Sequence, residues 1–386
     1  MVIAGQGRLE AAKHIGLTDV PVIQLNDLNE EQVRAYILAD NRLAELAGWD
    51  EEIVATELQY LLEMDLEFDV GVIGFETAEI DLMIERANPS NDPNDELPET
   101  EPDKPPVSRP GDLWLLGQHR LLCGDALEKA SYMRVMDSDQ ARLVFTDPPY
   151  NVPIQGHVGG SGQIQHAEFA MAAGELSEDE FTHFLTSALS HHSEHCFDGA
   201  LLYICMDWRH QWELQSAARN LGFNQLNLCV WNKDNGGMGS MYRSKHELVS
   251  VFKKGNEPHI NNIELGRFGR YRTNVWDYPG VNTFREGRLE ELQLHPTVKP
   301  VGLVKDALLD ASGRNDIILD GFGGAGTTLL AAEQCQRRAR LIELEPCYVD
   351  TTIRRWEAYT GQQAIHEESG KTFTEIASLE VDHGEE

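Results

Sequence analysis

Asp316-Ile317-Ile318-Leu319-Asp320-Gly321-Phe322-Gly323-Gly324-Ala325-Gly326-Thr327-Thr328 reads as a short apolar strand, a glycine-rich turn and the opening of a helix that continues to about Gln336. Glycines in such a turn let the backbone approach a ligand closely, and the helix amino terminus favours a carboxylate or another anion. The next apolar run, Arg340–Leu344, carries Glu343, 23 residues after Asp320. An acid at the end of that second strand suits hydrogen bonds to ribose hydroxyls. On the glycine pattern alone, a dinucleotide site or a plain strand-to-helix turn fits as well.

Working outward, the same alternation fills the chain from Gly111 onward. Apolar runs at Arg142–Thr146, Ala200–Met206, Leu226–Trp231 and Glu247–Phe252 join Asp316–Asp320 and Arg340–Leu344 as strands. Helical patterns separate them over Arg209–Leu221 and Val301–Ala311, and a further helix opens at Ser177, where Glu180 completes a capping-box spacing. Strands alternating with helices predict an α/β domain built on a parallel sheet. Directly after the strand RLVFT comes Asp147-Pro148-Pro149-Tyr150, at the carboxyl end where open α/β sheets bind ligands. An exocyclic amino group is a poor nucleophile, because its lone pair is delocalised into the ring. A carboxylate (Asp147) and a backbone carbonyl (Pro148) that both accept its hydrogens would free that lone pair. Pro149 stiffens the turn and Tyr150 offers a ring on which a base extruded from a duplex can stack.

The flanks differ in composition. Residues 1–87 read as mostly helical, with Glu-rich helices over Asn29–Ala47 and Glu51–Met64. Residues 88–110 carry seven prolines and little to bury, which predicts a linker. Residues 362–386 form an acidic tail. The net charge of −32 argues against a phosphate-binding protein at first sight. Residues 1–107, however, hold 25 acidic against 6 basic side chains, whereas residues 233–305 hold 8 against 12. The acidity therefore sits at the ends, and one interior stretch is locally basic. The six cysteines form no CxxC pair, which predicts reduced structural cysteines in a cytoplasmic protein without a metal site. With no apolar run of about 18 residues and no leader pattern, neither a membrane span nor a signal peptide is expected.

Taken together, LLCGDALE (Leu121–Glu128), TDPPYN (Thr146–Asn151), HPTVKP (His295–Pro300), LDGFGGAGTT (Leu319–Thr328) and LIELEPCYVD (Leu341–Asp350) resemble, in this order, the β class of amino-type DNA methyltransferases. The resemblance spans Gly111–Gly361 and implies a Rossmann-like, S-adenosylmethionine-dependent methyltransferase domain acting on double-stranded DNA with a flipped base. It implies catalytic roles for Asp147, Pro148, Pro149 and Tyr150. For the methyl donor, it implies that Asp125 contacts the adenine and that Thr297 and Lys299 hold the methionine end. Asp320, Phe322, Gly324 and Gly326 would shape the turn, and Glu343 would hold the ribose. Gly321 departs from the family, which usually has Pro there; the turn should be looser without losing a contact. The leading Asp of the tetrapeptide favours adenine over the N4 of cytosine, which stays as the alternative. Relatives often dimerise, so a homodimer is left open.

Residues 2–47 are similar to the second half of a ParB-like nucleotide- and DNA-binding domain, on Gly5, Gly7, Arg8, Ala12, Asn41 and Arg42. Gln6 replaces the His common in fused relatives and the upstream half is missing, so residues 1–87 are read as a structural, mostly helical appendage. A regulator that uses this segment beside an inactive methyltransferase body is the other alternative. Target recognition is expected within about 231–296, where the cluster Arg267, Arg270 and Arg272 suits phosphate and base-edge contacts. His191, His192 and His195 are expected on a helix surface, and the stretch Asn151–Gly174 as a mobile loop.

Overall fold

The computed structural model describes residues 2–25, 27–29, 31–37, 51–63, 74–87, 105–152, 174–234, 236, 241–263, 270–280 and 298–383. Two units separate, Met1–Phe68 and Asp69–Glu386. In the first, α1 (Gln6–His14) starts at Gly5, whose positive φ of 81° only glycine adopts readily. Asn29 and Gln32 cap each other reciprocally, each side chain accepting the other's backbone N–H, so the helix expected at Asn29 begins there. Its continuation beyond residue 37 lies outside the described residues. A further helix, α2, spans Glu51–Glu63. Among the described residues of this unit Ala12, Ala55 and Leu58 are buried, while Ile15, Val22 and Ile23 are exposed.

The second unit opens with α3 (Thr77–Ala87) and then builds a sheet from β1 (Leu113–Leu116), β2 (His119–Cys123), β3 (Ala141–Thr146), β4 (Cys196–Met206), β5 (Asn224–Asn232), β6 (His246–Lys253), β7 (Val275–Asp277), β8 (Ile317–Asp320), β9 (Arg338–Glu343) and β10 (Ile365–His366). The order is β10-β1-β2-β9-β8-β3-β4-β6-β5-β7. The five central strands, β2 to β4 in that order, run parallel, and β1 and β6 flank them antiparallel. Strand β3 is buried along nearly its whole length because helices cover both faces. Val144 points toward α4 (Lys129–Met136), α5 (Glu178–Glu194) and α6 (Gln211–Asn220). Leu143 and Phe145 point toward α7 (Val301–Ala311), α8 (Thr327–Gln334) and α9 (Pro346–Thr360). The capping box at Ser177 and Glu180 opens α5 as expected.

From β3 the chain moves by α5 to β4 on one side, and from β8 by α8 to β9 on the other. Between β3 and β8 the winding therefore reverses, and the two loops leaving their carboxyl ends diverge to open a crevice. Those loops carry Asp147 and Asp320. This is the α/β architecture expected from the strand pattern. The patterns missed β1, β2, β7 and β10, four strands of two to five residues.

At the amino ends of β8 and β9, Asp81 of α3 accepts hydrogen bonds from Arg314 and from the fully buried Arg337, the latter at 3.0 Å. Helix α3, grouped by composition with the amino-terminal segment, is thus tied to the sheet-bearing unit. Of the proline-rich stretch, residues 88–104 lie outside the described residues. Its end is packed: the Val107 and Ser108 amides donate to the Asp350 carboxylate at 2.8 and 3.0 Å. Residues 362–383 are packed as well. Strand β10 pairs with β1, and Phe373, the first residue of α10 (Phe373–His383), meets Trp114 edge-on at 5.4 Å. Two aromatic rings in the core outweigh an acidic composition. No helix among the described residues is long and apolar enough to cross a membrane.

Candidate active site

Strand β3 delivers Asp147 to the crevice, with Pro148 buried and Pro149 and Tyr150 half-buried behind it. The Tyr150 hydroxyl donates to Asp147 Oδ1 at 2.5 Å, and the Lys299 ammonium donates to Oδ2 at 2.5 Å. Burial raises the Asp147 carboxyl above the ordinary range, with the Lys299 charge pulling the other way. Lys299 is itself buried, which disfavours its charge. Asp147 and Glu247 overcome that and hold it protonated above the usual lysine range. Its ammonium lies 3.1 Å from Glu247 Oε2 and 5.5 Å from the centre of the Tyr150 ring. Burial works against the charge of Glu247 as well, but Lys299 and Lys233 bring its carboxyl down to about 2.

Strand β8 delivers the second turn. Asp320, 3% exposed, turns both carboxylate oxygens inward. Oδ1 accepts from Thr146 Oγ1 at 2.8 Å and from the Phe322 amide at 3.0 Å, and Oδ2 accepts from Thr328 Oγ1 at 2.7 Å. It therefore ties the residue before Asp147 to the first turn of α8. Burial pushes its carboxyl up to about 6. At Gly326, φ is 81° and an added Cβ would lie 2.5 Å from Thr352 Cγ2, so only glycine fits where the turn becomes helix. Glu343, at the end of β9, accepts from the Gly324 amide at 2.7 Å and from the Glu345 amide at 2.8 Å. Burial raises its carboxyl to about 7. Asp125 follows β2, the neighbour of β9, and receives the Leu127 amide at 2.8 Å. The adjacent Gly124 amide donates to the Glu343 carbonyl at 2.9 Å. Asp125, Glu343, Gly324 and Gly326 thus form one cradle beside Asp320. Their acids and glycines fit a nucleoside with a charged tail, and Phe322 closes one end between Phe184 and His192.

Lys299 joins the two halves. Its carbonyl accepts from Thr327 Oγ1 at 3.3 Å, while its ammonium donates to Asp147. Thr297 lies outside the described residues, as do Arg267 and residues 153–173, where a mobile loop is expected.

Three expectations need correction. His192 is fully buried behind the glycine turn, not on a surface. Its Nε2 accepts the Gly321 amide hydrogen at 3.0 Å, so the neutral ring carries its proton on Nδ1, which faces the Ala188 carbonyl at 2.8 Å. Burial lowers its basicity to about 4, which keeps that acceptor available. Gly321 therefore has a partner that Pro could not have, and even a Cβ there would lie 2.6 Å from the His192 ring and 2.7 Å from the Tyr132 hydroxyl. The departure from the family's Pro fits these two side chains rather than loosening the turn. Finally, Arg270 and Arg272 do not face outward. Both guanidinium groups are spent on Asp306 and Asp310 of α7, at 2.8 to 3.2 Å.

Glu247 and Lys233 are absent from the sequence-derived site. Glu247 is the second residue of β6, opposite Trp231 of β5, and only that register brings it to the crevice. In the sequence KHELVSVF it is one more acid at a strand start.

The profile of a DNA methylase family matches residues 141–354, and that of a ParB-methyltransferase HTH domain matches residues 52–110. Similar proteins include the Type II methyltransferase M2.MboI of Moraxella bovis, 23% identical over 236 residues, covering 59% of this chain and 85% of that protein. The DNA adenine methyltransferase YhdJ of Escherichia coli (strain K12) is 24% identical over 287 residues, covering 65% and 88%. The Type II methyltransferase M.HpaI of Haemophilus parainfluenzae is 22% identical over 267 residues, covering 64% and 77%.

Proposed function

This chain belongs to the DNA methylase family, and from that premise we propose that it moves a methyl group from S-adenosylmethionine to the exocyclic amino group of adenine in double-stranded DNA. The observation that carries the reading is the direct link between two turns at the strand reversal. The Thr146–Asp320 hydrogen bond holds the acceptor turn at Asp147 beside the glycine cradle. Adenine is favoured over cytosine by the leading Asp of the tetrapeptide and by the described target of YhdJ.

The methyl donor supplies an electrophilic methyl group on a positively charged sulfur. Gly324, Gly326 and the amino end of α8 would receive its methionine portion, Glu343 its ribose and Asp125 its adenine. Phe322 covers the cradle, Asp320 braces it, and Thr297 lies two positions before Lys299 in sequence. The target base leaves the duplex and stacks on Tyr150. Asp147 and the Pro148 carbonyl accept its two amino hydrogens, which draws the nitrogen toward tetrahedral geometry and localises its lone pair; Pro149 keeps the turn rigid. As the carbon–sulfur bond breaks, the lone pair takes the methyl group. The surplus proton leaves the nitrogen for Asp147, which burial already biases toward protonation. Catalysis is then positioning and polarisation. We take the enzyme to work in the cytoplasm beside its DNA, and sedimentation would show whether it acts as a homodimer.

The test is incubation with labelled S-adenosylmethionine and unmethylated genomic DNA, followed by nucleoside mass spectrometry. N6-methyldeoxyadenosine that disappears in Asp147→Ala, with donor binding retained, is the expected result. Methylated deoxycytidine would move the target to cytosine, and no methylated base would overturn the reading.

A further inference from the structure

In the structure both oxygens of Asp147 are taken. The Tyr150 hydroxyl holds Oδ1 and the Lys299 ammonium holds Oδ2, each at 2.5 Å. An ammonium this close draws electron density from the carboxylate and occupies the lone pairs that an incoming amino group needs. Lys299, with a side chain 5% exposed, cannot simply swing into solvent, and a buried ammonium stripped of its anion is strongly unfavourable. A second anion is in place. Glu247 Oε2 lies 3.1 Å from the Lys299 ammonium and 3.3 Å from the Tyr150 hydroxyl, so one oxygen faces both groups that block Asp147. The other oxygen, Oε1, accepts from Lys233, whose ammonium also sits 4.4 Å over the Trp231 ring. Asp147, Glu247, Lys233 and Lys299 together carry no net charge, so the ammonium can move between carboxylates without uncovering a charge. Lysine suits such an exchange, because its ammonium is a point charge on a flexible stem.

We propose that Glu247 is a positioning residue that draws Lys299 and the Tyr150 hydroxyl off Asp147 as the target base enters, which frees the Asp147 carboxylate for the amino hydrogen. Lys233 anchors the far oxygen of Glu247 and keeps it aimed at the crevice. The exchange breaks no covalent bond. It deepens the amino-methylation reading and rests on it.

The two conservative replacements of Glu247 separate this role from a structural one. Glu247→Gln keeps shape and hydrogen bonding but loses the charge, whereas Glu247→Asp keeps the charge and shortens the reach by one methylene. If Glu247 only packs and hydrogen-bonds, Gln is the milder change. If it receives the ammonium, Asp is. The full-length protein is assayed for kcat, for KM of S-adenosylmethionine and for donor affinity by calorimetry, with a thermal melt for each variant. Glu247→Gln should lower kcat by about 30- to 100-fold with donor affinity within about twofold of the wild type. Glu247→Asp should retain at least about a fifth of the wild-type kcat. A Gln variant as active as the wild type, or a Gln variant more active than the Asp variant, would overturn the proposal. Should Glu247→Gln fail to fold, wild-type-like activity in Lys233→Met would overturn it instead, since the anchoring of the far oxygen would then be dispensable. Failure of the methylation reading looks different, because the wild type itself would then methylate no base.

Discussion

Two buried clusters in this molecule contain the same charges and behave as opposites. At the crevice, Lys299 and Lys233 face Asp147 and Glu247. Beside α7, Arg270 and Arg272 face Asp306 and Asp310. Each pairs two cations with two carboxylates, yet the second is locked. Each guanidinium presents several N–H groups in a fixed fork, and each reaches both aspartates. Tyr278 donates to Asp306 as well and accepts from Arg272, which extends the network. In the first cluster a single ammonium is shared between two carboxylates that would both use it. Arginine builds a joint and lysine a contact that can change partners. On the proposed reading, what marks the active site is therefore not the number of buried charges but the freedom of one of them to move.

That contrast can be broken in several places. The largest effect is expected at the rigid cluster. Arg270→Met leaves Arg272 alone to neutralise two carboxylates and should lower stability by about 3–5 kcal/mol, read by chemical denaturation. The DNA affinity of the folded protein, and its dependence on salt, should not change. A salt slope reduced by about one would instead put Arg270 on a phosphate. At the crevice, Lys299→Arg tests whether mobility matters: a fork that grips Asp147 and Glu247 together should cost about 100-fold in kcat at unchanged fold stability, and an active Arg variant would erase the distinction. A smaller effect is expected behind the glycine turn. His192→Leu leaves the Gly321 amide without an acceptor, worth about 1–3 kcal/mol, and should raise KM for S-adenosylmethionine by about tenfold. His192→Gln, which can present an oxygen in place of Nε2, should recover most of that loss.

The same histidine sets an acid limit. The fold keeps it neutral down to about pH 4, whereas the unfolded chain takes up a proton near its ordinary value of 6.5. Its contribution is complete above about pH 6.5 and shrinks as the pH falls toward 4, by up to about 3 kcal/mol. The stability gap between wild type and His192→Leu should accordingly narrow from pH 7 to pH 5. A constant gap would mean that the ring takes up its proton in the fold at the same pH as in the unfolded chain. Smallest of all is an effect at Glu343, half-protonated near pH 7 when free of ligand. If the carboxylate receives ribose hydroxyls, donor affinity should rise a few-fold from pH 6 to pH 8, and Glu343→Gln should flatten that rise.

Much of this was legible before any coordinates. The six strands read from their apolar runs are all present, within a few residues at each end, and helix Val301–Ala311 is where its pattern put it. These features depend on residues a few positions apart, where periodicity, glycine and capping act directly. The turn at Asp320 and the tetrapeptide at Asp147 belong to the same class, since a strand, a turn and a helix start specify one another locally. The two-residue strand β10 was not legible, because its order comes from pairing with β1 at the edge of the sheet.

By itself, the order of motifs determined the α/β class, the family and the two turns that meet at the crevice. Only the tertiary structure decided who pairs with whom. Lys299 reaches Asp147 across 152 positions, His192 reaches Gly321 across 129, and Glu247 reaches Tyr150 across 97. The same packing turned Arg270 and Arg272 from candidates for phosphate contacts into a structural joint. A charged side chain carries no record in sequence of which opposite charge will lie within a few ångströms of it. Strand register and the crossing of helices over the sheet set that distance, and in a buried site distance decides whether a lysine neutralises a cofactor, a substrate or the catalytic carboxylate itself.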